Sequence, residues 1–438
     1  MFHFVCEDRH DLEAPFEMKH VPISVTRREA LTLGGGAALA SLTSSSLFAA
    51  HTAAGLKPMT AGVEPIARAE YLARIDKARA LMAKHGLGAL LIEPGASLVY
   101  FTGVQWWRSE RLTAAVLPRE GDIAIVTPHF EEPSVRESLQ VPADVRVWNE
   151  HDDPLATVAG VLRDRKVNAA VGIEETVRFF AVDGLRKVMP HLEIKAGAPV
   201  VRGCRMVKSP TELALMKRAN DITIAAYAHV WPRIREGMSN RDISSMIGEA
   251  HGALGADHEF ALVLLGEASA YPHGSGKPQA VRESEVVLMD VGCSLHGYQS
   301  DISRTFVYGK PTAEQRKVWE QMREGQRIAI DTARVGVSAG SVDDAVRAQY
   351  EKWGYGPGYK LPGLSHRTGH GIGLDGHEPV NLVHGETTAL APCMCFSNEP
   401  GIYLPGKFGI RLEDCFYMGE QKPEWFSQPV DSIDKPFG

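Results

Sequence analysis

Apolar residues recur at three- and four-residue intervals from Glu64 to His85, where Ala, Leu and Ile share one face and Gly86 and Gly88 end the run, predicting an amphipathic helix. Short apolar runs then alternate with polar segments at Ala89–Ile92, Leu112–Leu117, Asp122–Val126 and Val145–Trp148. A helical pattern over Pro154–Asp164 precedes a further strand at Ala169–Ile173. This alternation predicts a small α/β domain that ends near residue 200. Ser209-Pro210-Thr211-Glu212 is a capping box with proline at the first helical position, so a new helix starts there and runs through Met216. Further helices are expected over Asp221–Arg235 and Asn240–Leu254, and strands over Ala261–Leu265 and Val286–Val291. A second capping box, Thr312-Ala313-Glu314-Gln315, opens a long helix to about Ala333. From Gly363 to Phe416 the chain is strand and loop, dense in Gly, Pro and His. The one credible junction, near 200–205, separates an N-terminal domain over 55–203 from a second domain over 204–438.

The first 54 residues break the pattern. Thr26-Arg27-Arg28-Glu29-Ala30-Leu31 resembles a twin-arginine export motif, and a weakly apolar stretch rich in Gly, Ala and Ser follows from Leu31 to Ala50. Thr52-Ala53-Ala54 supplies small residues suited to cleavage. Three consecutive glycines and several serines dilute the stretch too far for a membrane anchor. The residues before Met18 include Glu7, Asp8, Asp11, Glu13 and Glu17, an acidic run unlike a leader, so Met18 is the expected physiological start. The expected destination is the periplasm or the exterior.

Composition changes little in this picture. The 438 residues suffice for two cores, and 44% apolar with 23% charged residues describes a soluble globular protein. A net charge of −7, with lysines and arginines scattered, argues against nucleic acid as a partner. No apolar run after residue 60 could span a bilayer, so no stable membrane insertion is expected. Of six cysteines, Cys6 would leave with the leader, and the odd remainder argues against a disulfide framework.

The chemistry lies in the second domain. Val286–Cys293 and Tyr298–Phe306 are strand-like around a turn-like Ser294–Gly297. A hairpin folded at Leu295–His296 would set Asp290 opposite Asp301, with Cβ atoms about 5 Å apart. Two carboxylates that close, beside apolar residues, need a positive counter-charge. Glu399 and Glu413 are related in the same way about Gly406. Four of the seventeen histidines (His366, His370, His377, His384) lie between the two pairs, among glycines. Four carboxylates with one or two imidazoles make a hard, oxygen-rich site for two divalent ions. Mn²⁺ suits it best, with Co²⁺, Zn²⁺ or Fe²⁺ as alternatives.

These segments resemble the pita-bread metallopeptidases: prolidase, aminopeptidase P and, more distantly, methionine aminopeptidase. The resemblance covers most of the chain after about residue 65, including Arg205–Glu212 and Tyr100-Phe101-Thr102-Gly103. It implies an α/β N-terminal domain followed by a pita-bread (creatinase/aminopeptidase-type) α+β catalytic domain. It implies Asp290, Asp301, His370, Glu399 and Glu413 as metal ligands, with Asp301 and Glu413 bridging. Glu399 would also shuttle a proton, His273 would contact substrate, and His377 would stabilise the tetrahedral intermediate. His366 and Arg411 would line the substrate pocket. The implied activity is hydrolysis of Xaa-Pro bonds in dipeptides or short peptides, by a homodimer. The alternative is a non-peptidase on the same scaffold, a metal-dependent amidohydrolase or lyase acting on a small molecule. One departure is visible: the segment His258–Leu265 has no tyrosine where the peptidases carry a polar pocket residue.

Overall fold

The computed structural model describes residues 53–437, so the leader expected over 1–54 lies outside the described residues as far as position 52. The first half comprises α1 (Arg68–His85), β1 (Leu87–Ile92), α2 (Ala96–Thr102), β2 (Ala114–Pro118), β3 (Ile123–Pro128), α3 (Glu132–Ser138), β4 (Ala143–Trp148), α4 (Pro154–Asp164), β5 (Ala170–Ile173), α5 (Phe179–Val188), β6 (Ile194–Ala196) and α6 (Ala198–Arg205). Its six-stranded mixed sheet runs β4-β3-β2-β1-β5-β6. Strand β1 reads as an unbroken apolar run because both its faces are covered. Leu90 and Ile92 join the core of α1 and α6, whereas Ala89 and Leu91 join Leu155 and Val158 of α4 and Leu185 of α5.

Helix α1 begins at Arg68 rather than Glu64, because Pro65 disfavours helical backbone at the residue before it. Gly86, at φ 67°, caps it, while Gly88 lies inside β1, where a Cβ would come 2.9 Å from Val167. Helix α6 packs on α1 through Gly203 and ends at Arg205.

The second half contains α7 (Pro210–Val230), α8 (Asn240–Leu254), β7 (Asp257–Leu265), β8 (Val286–Leu295), β9 (Tyr298–Gln299), β10 (Ile302–Val307), α9 (Ala313–Thr332), α10 (Ala339–Lys352), β11 (Gly369–Gly371), β12 (Glu378–Leu382), β13 (Cys395–Asn398), β14 (Gly401–Leu404), β15 (Phe408–Arg411), β16 (Asp414–Met418) and β17 (Pro423–Trp425). Both capping boxes form. Helix α7 is continuous where two helices were expected, since the polar break at Asn220 is absorbed by its side chain, which donates to the Met216 carbonyl at 2.9 Å. Trp231-Pro232 ends it. Helix α10 was not foreseen. Its signal, Val342, Val346 and Tyr350 at four-residue spacing, is masked by a glycine- and serine-rich start, and Gly340 is small because a Cβ there would meet Glu386 O at 2.8 Å.

Strands β10, β8 and β7 form one antiparallel sheet with β9 attached to β8, and β12-β11-β13-β16-β17 form another, with the hairpin β14-β15 beside them. Alternate residues of β8 serve different cores. Val287, Met289 and Val291 pack with α7 and α8, and Leu288 packs with α9 and α10. Asp290 therefore sits on the Leu288 face, away from α7. No helix among the described residues is long and apolar enough to cross a membrane.

The two hairpins place the acidic residues differently from each other. The second pairs in the expected register: Gly401↔Arg411 through Leu404↔Phe408 in one ladder, and Asn398↔Asp414 through Cys395↔Tyr417 in the next. Glu399 and Glu413 occupy the gap between the two ladders, and Gly406 turns at φ 73°. The first hairpin is shifted. It turns at His296-Gly297, both at positive φ (50° and 83°), a two-residue connection that Leu295-His296 could not supply as readily without its glycine. Moving the turn by one residue moves the pairing by two. Asp290 therefore faces Ser303, and the same register carries Asp301 opposite Gly292, diagonal to Asp290 on the same face.

Candidate active site

A cleft of about 750 Å³ opens between the two sheets of the second half and is lined by His273, Asp290, Asp301, His366, His370, His377, Glu399, Arg411 and Glu413 together. Donor atoms of Asp290, Asp301 and Glu413 all lie within 4.8 Å of one another, and so do those of His370, Glu399 and Glu413. His377 joins Asp301 and His370 in a third such group. Its ring meets that of His370 edge-on, with centroids 4.1 Å apart.

The imidazole of His370 is oriented by its own backbone. Its Nδ1 lies 3.0 Å from the Gly371 carbonyl, which can only accept, so Nδ1 carries the hydrogen. The Nε2 lone pair then faces Glu399 Oε1 at 3.2 Å and Asp301 Oδ2 at 3.6 Å. A lone pair aimed at two carboxylates is repulsive unless a cation or a proton lies between them. Asp301 Oδ1 and Glu413 Oε1 are buried with no hydrogen-bond partner among the described residues. Burial first, then the neighbouring carboxylates, pushes the Asp301 and Glu413 carboxyls well above their ordinary range. Burial would raise Glu399 too, but in the metal-free site, with a proton on His370 Nε2 in place of a cation, the hydrogen bond and charge of that imidazolium outweigh it and hold Glu399 down to about 2. Among the described residues, Arg411 offsets this acidic group directly, at 2.6 Å from Asp290. The donor set therefore fits divalent cations: oxygen-rich, buried, short of positive charge, with one imidazole nitrogen turned inward.

A consequence for the metal-free protein follows by linkage. Asp301 and Glu413 have raised folded values, so their contribution to stability is present at acid pH and lost as pH rises through those values. Chelator-stripped protein should melt at a lower temperature at pH 8 than at pH 6. Adding a divalent ion should largely remove that difference in calorimetry, and a flat apo profile would contradict the assignment.

Arg411 lines the cleft with its guanidinium engaged by the protein: Nη2 donates to Asp290, Nε to Ser303 Oγ at 2.9 Å, and Nη1 to Tyr403 Oη and the Pro272 carbonyl. It is 3% exposed and is consumed in positioning Asp290. His366 is similarly engaged, with Nδ1 on the Arg367 carbonyl at 2.8 Å and Nε2 2.7 Å from Tyr403 Oη. Two residues went unnoticed in the sequence. Ser303 Oγ stands 3.0 Å from both Asp290 Oδ1 and Glu413 Oε2, and fully buried Tyr403 links His366 to Arg411. Neither belongs to a recognisable motif; only the register β8–β10 and the ladder β14–β15 bring them in. Phe260 and Leu262 line the cleft on the side where no tyrosine was found, giving it an apolar wall.

Behind the cleft, Asp343 of α10 accepts from Thr368 N and Oγ1, and Arg347 holds the His366 carbonyl, so the unforeseen helix fixes the strand that carries His370. Glu378, next to His377, is buried and receives Lys208 Nζ at 2.9 Å, Arg205 and two backbone amides. Burial would raise its carboxyl, but Lys208 and Arg205 hold it down to about 2.

Residues 214–420 match the model of metallopeptidase family M24, and residues 74–207 match the creatinase/prolidase N-terminal domain. The probable dipeptidase PepE of Mycobacterium tuberculosis is 34% identical over 354 residues, which cover 80% of this chain and 92% of the relative. The chain belongs to metallopeptidase family M24. Another relative, the Xaa-Pro dipeptidase of Lactobacillus helveticus, is 32% identical over 73% of this chain and 87% of its own length. The crystal structure of dipeptidase PepE from Mycobacterium ulcerans superposes with a TM-score of 0.76 at 31% identity, covering 84% of this chain and 98% of the other. A prolidase from Thermococcus sibiricus gives 0.76 at 29% identity, over 83% and 98%. The architecture is thus a creatinase-like α/β domain followed by an M24 pita-bread catalytic domain, and the chain is a metallopeptidase.

Proposed function

We propose that this M24 chain hydrolyses Xaa-Pro bonds in dipeptides or short peptides, with two divalent ions held by Asp290, Asp301, His370, Glu399 and Glu413. The observation that carries the reading is the quartet of carboxylates around the inward His370 lone pair, Asp301 and Glu413 buried and Asp290 and Glu399 partly so, with two carboxylate oxygens lacking partners among the described residues. Asp290 and Asp301 would hold one ion, His370 and Glu399 the other, with Asp301 and Glu413 shared; the oxygen-rich donors favour Mn²⁺. Such ions acidify water and draw charge from the scissile carbonyl. Glu399 takes the proton of the attacking water and delivers it to the leaving nitrogen. Burial, then the charge of His370, lowers His377 to about 4, so it is neutral at working pH and donates a hydrogen bond to the developing oxyanion. His273, exposed on the cleft rim, contacts the substrate. An Xaa-Pro bond is a tertiary amide with no N–H, and a site that works through the carbonyl loses nothing by its absence. The names of the relatives support the peptidase over a small-molecule lyase or amidohydrolase.

The test is hydrolysis of dipeptides and tripeptides with proline second by Mn²⁺-reconstituted protein. Turnover should be lost to chelator and restored by metal. Protein that binds two ions and cleaves no Xaa-Pro bond would overturn the reading. Homodimerisation and export belong to the same proposal, the latter supported by Arg27-Arg28 and the weakly apolar stretch after them. Changing both arginines to lysine should keep the protein in the cytoplasm on fractionation, whereas unchanged export would remove the twin-arginine assignment.

A further inference from the structure

The aim of His377 is set by its backbone. Among the described residues its imidazole has no hydrogen-bond partner, and its close ring neighbour is His370. It stands on the connection 372–377 between β11 and β12, and the carboxylate of Glu378 folds that connection onto its own end. Glu378 Oε1 accepts from the amides of Leu374 at 3.0 Å and Asp375 at 3.2 Å, and Oε2 accepts from Lys208 Nζ at 2.9 Å. Arg205 donates to Oε1 as well. Gly373 shows how tightly the loop closes on this group: a Cβ there would come 2.8 Å from Glu378 Oε1 and 2.9 Å from Lys208 Cε. The two cations are not equivalent. The Lys208 side chain is 3% exposed and is paired with Glu378, whereas that of Arg205, at 12%, is shared with Asp375 and Ser97 Oγ. Lys208, Arg205 and Glu378 all stand outside the lining of the cleft.

We propose that Lys208 is a positioning residue for the reaction: through the Glu378 carboxylate it locks the loop that aims His377 at the developing oxyanion. The inference rests on the reading of His377 as the oxyanion donor of a peptidase. A donor to an oxyanion is useful only where the charge appears, and a misplacement of about 1 Å can cost on the order of a hundredfold in rate. Without Lys208 the buried carboxylate keeps one cation, Arg205, which Asp375 and Ser97 also hold on its own side. Glu378 is then drawn toward Arg205, Oε2 loses its partner, and the two amide bonds that close the loop weaken. His377, with no side-chain tether of its own, follows its backbone. The metal ligands are less exposed to this change, because His370 lies on β11, which is paired on both edges by β12 and β13.

The experiment is a double-mutant cycle on the Mn²⁺-loaded full chain with Ala-Pro as substrate: the unaltered enzyme, Lys208→Met, His377→Ala and the two changes together. Lys208→Met should lower kcat roughly ten- to hundredfold while KM stays within about threefold, since the lost interaction is made in the transition state. Metal content should equal that of the unaltered enzyme. In the His377→Ala background the same change should cost less than about threefold, because the residue it acts through is gone. A second variant, Lys208→Met with Glu378→Gln, removes both buried charges and so folds without an unpaired carboxylate. It should be as slow as Lys208→Met, although its melting temperature recovers. An undiminished kcat in either folded, metal-loaded variant would overturn the assignment, as would an equal loss with and without His377. A His377→Ala enzyme as fast as the unaltered one would instead remove the oxyanion role beneath the inference, and failure of the unaltered enzyme on Ala-Pro would remove the peptidase reading.

Discussion

Glu413→Gln should abolish metal-supported turnover, with kcat down on the order of 10³-fold or more, while the protein stays folded. The carboxylate belongs to two of the three donor groups and has one oxygen without a partner among the described residues. Its other oxygen is fixed by Ser303, and its backbone amide donates to the Ser303 carbonyl at 3.0 Å. An amide in its place keeps the shape and the backbone bond but supplies only a weak neutral ligand. Metal analysis should show fewer than two ions per chain. The metal-free variant should melt no lower than the metal-free parent at neutral pH, because one of several mutually repelling carboxylates is gone. Full activity with two ions bound would remove Glu413 from the site.

The second large effect concerns stability. Arg304 and Asp414 form an ion pair at 2.7 Å with each side chain 1% exposed. Arg304 also donates to the Ser303 and Glu413 carbonyls, while Asp414 accepts from Gln326 and Ser427. The pair thus ties β10 to β16 directly behind Ser303 and Glu413. Arg304→Met leaves a buried carboxylate without its cation and should cost about 3–5 kcal/mol in denaturant unfolding. The double change Arg304→Met with Asp414→Leu should recover a large part of that, since removing both charges also removes their desolvation cost. A single variant within about 0.5 kcal/mol of the parent would show that water reaches the pair.

Much of the site was legible one residue at a time. Asp290, Asp301, His370, Glu399 and Glu413 each sit in local sequence that marks them, and the second hairpin could be folded on paper because Gly406 admits only one turn between two good strands. The first hairpin could not. Its register depends on which two residues accept positive φ, and choosing Leu295-His296 over His296-Gly297 exchanged Ser303 for Asp301 opposite Asp290.

What the chain determines by itself is therefore the set of acidic and imidazole candidates for the site, the capped helices, the apolar strands and the family. These follow from short-range chemistry that each segment carries wherever it is placed. Which groups are spent and which are free was decided only by packing. Arg411 and Arg367 are alike as letters, yet one is bound on four sides by Asp290, Ser303, Tyr403 and Pro272 and the other, half-buried in the cleft wall, has no side-chain partner among the described residues. Hydrogen-bond partners come from strands and helices remote in sequence, such as Asp343 on a helix that no pattern announced. Commitment of a charge is a property of its three-dimensional neighbours.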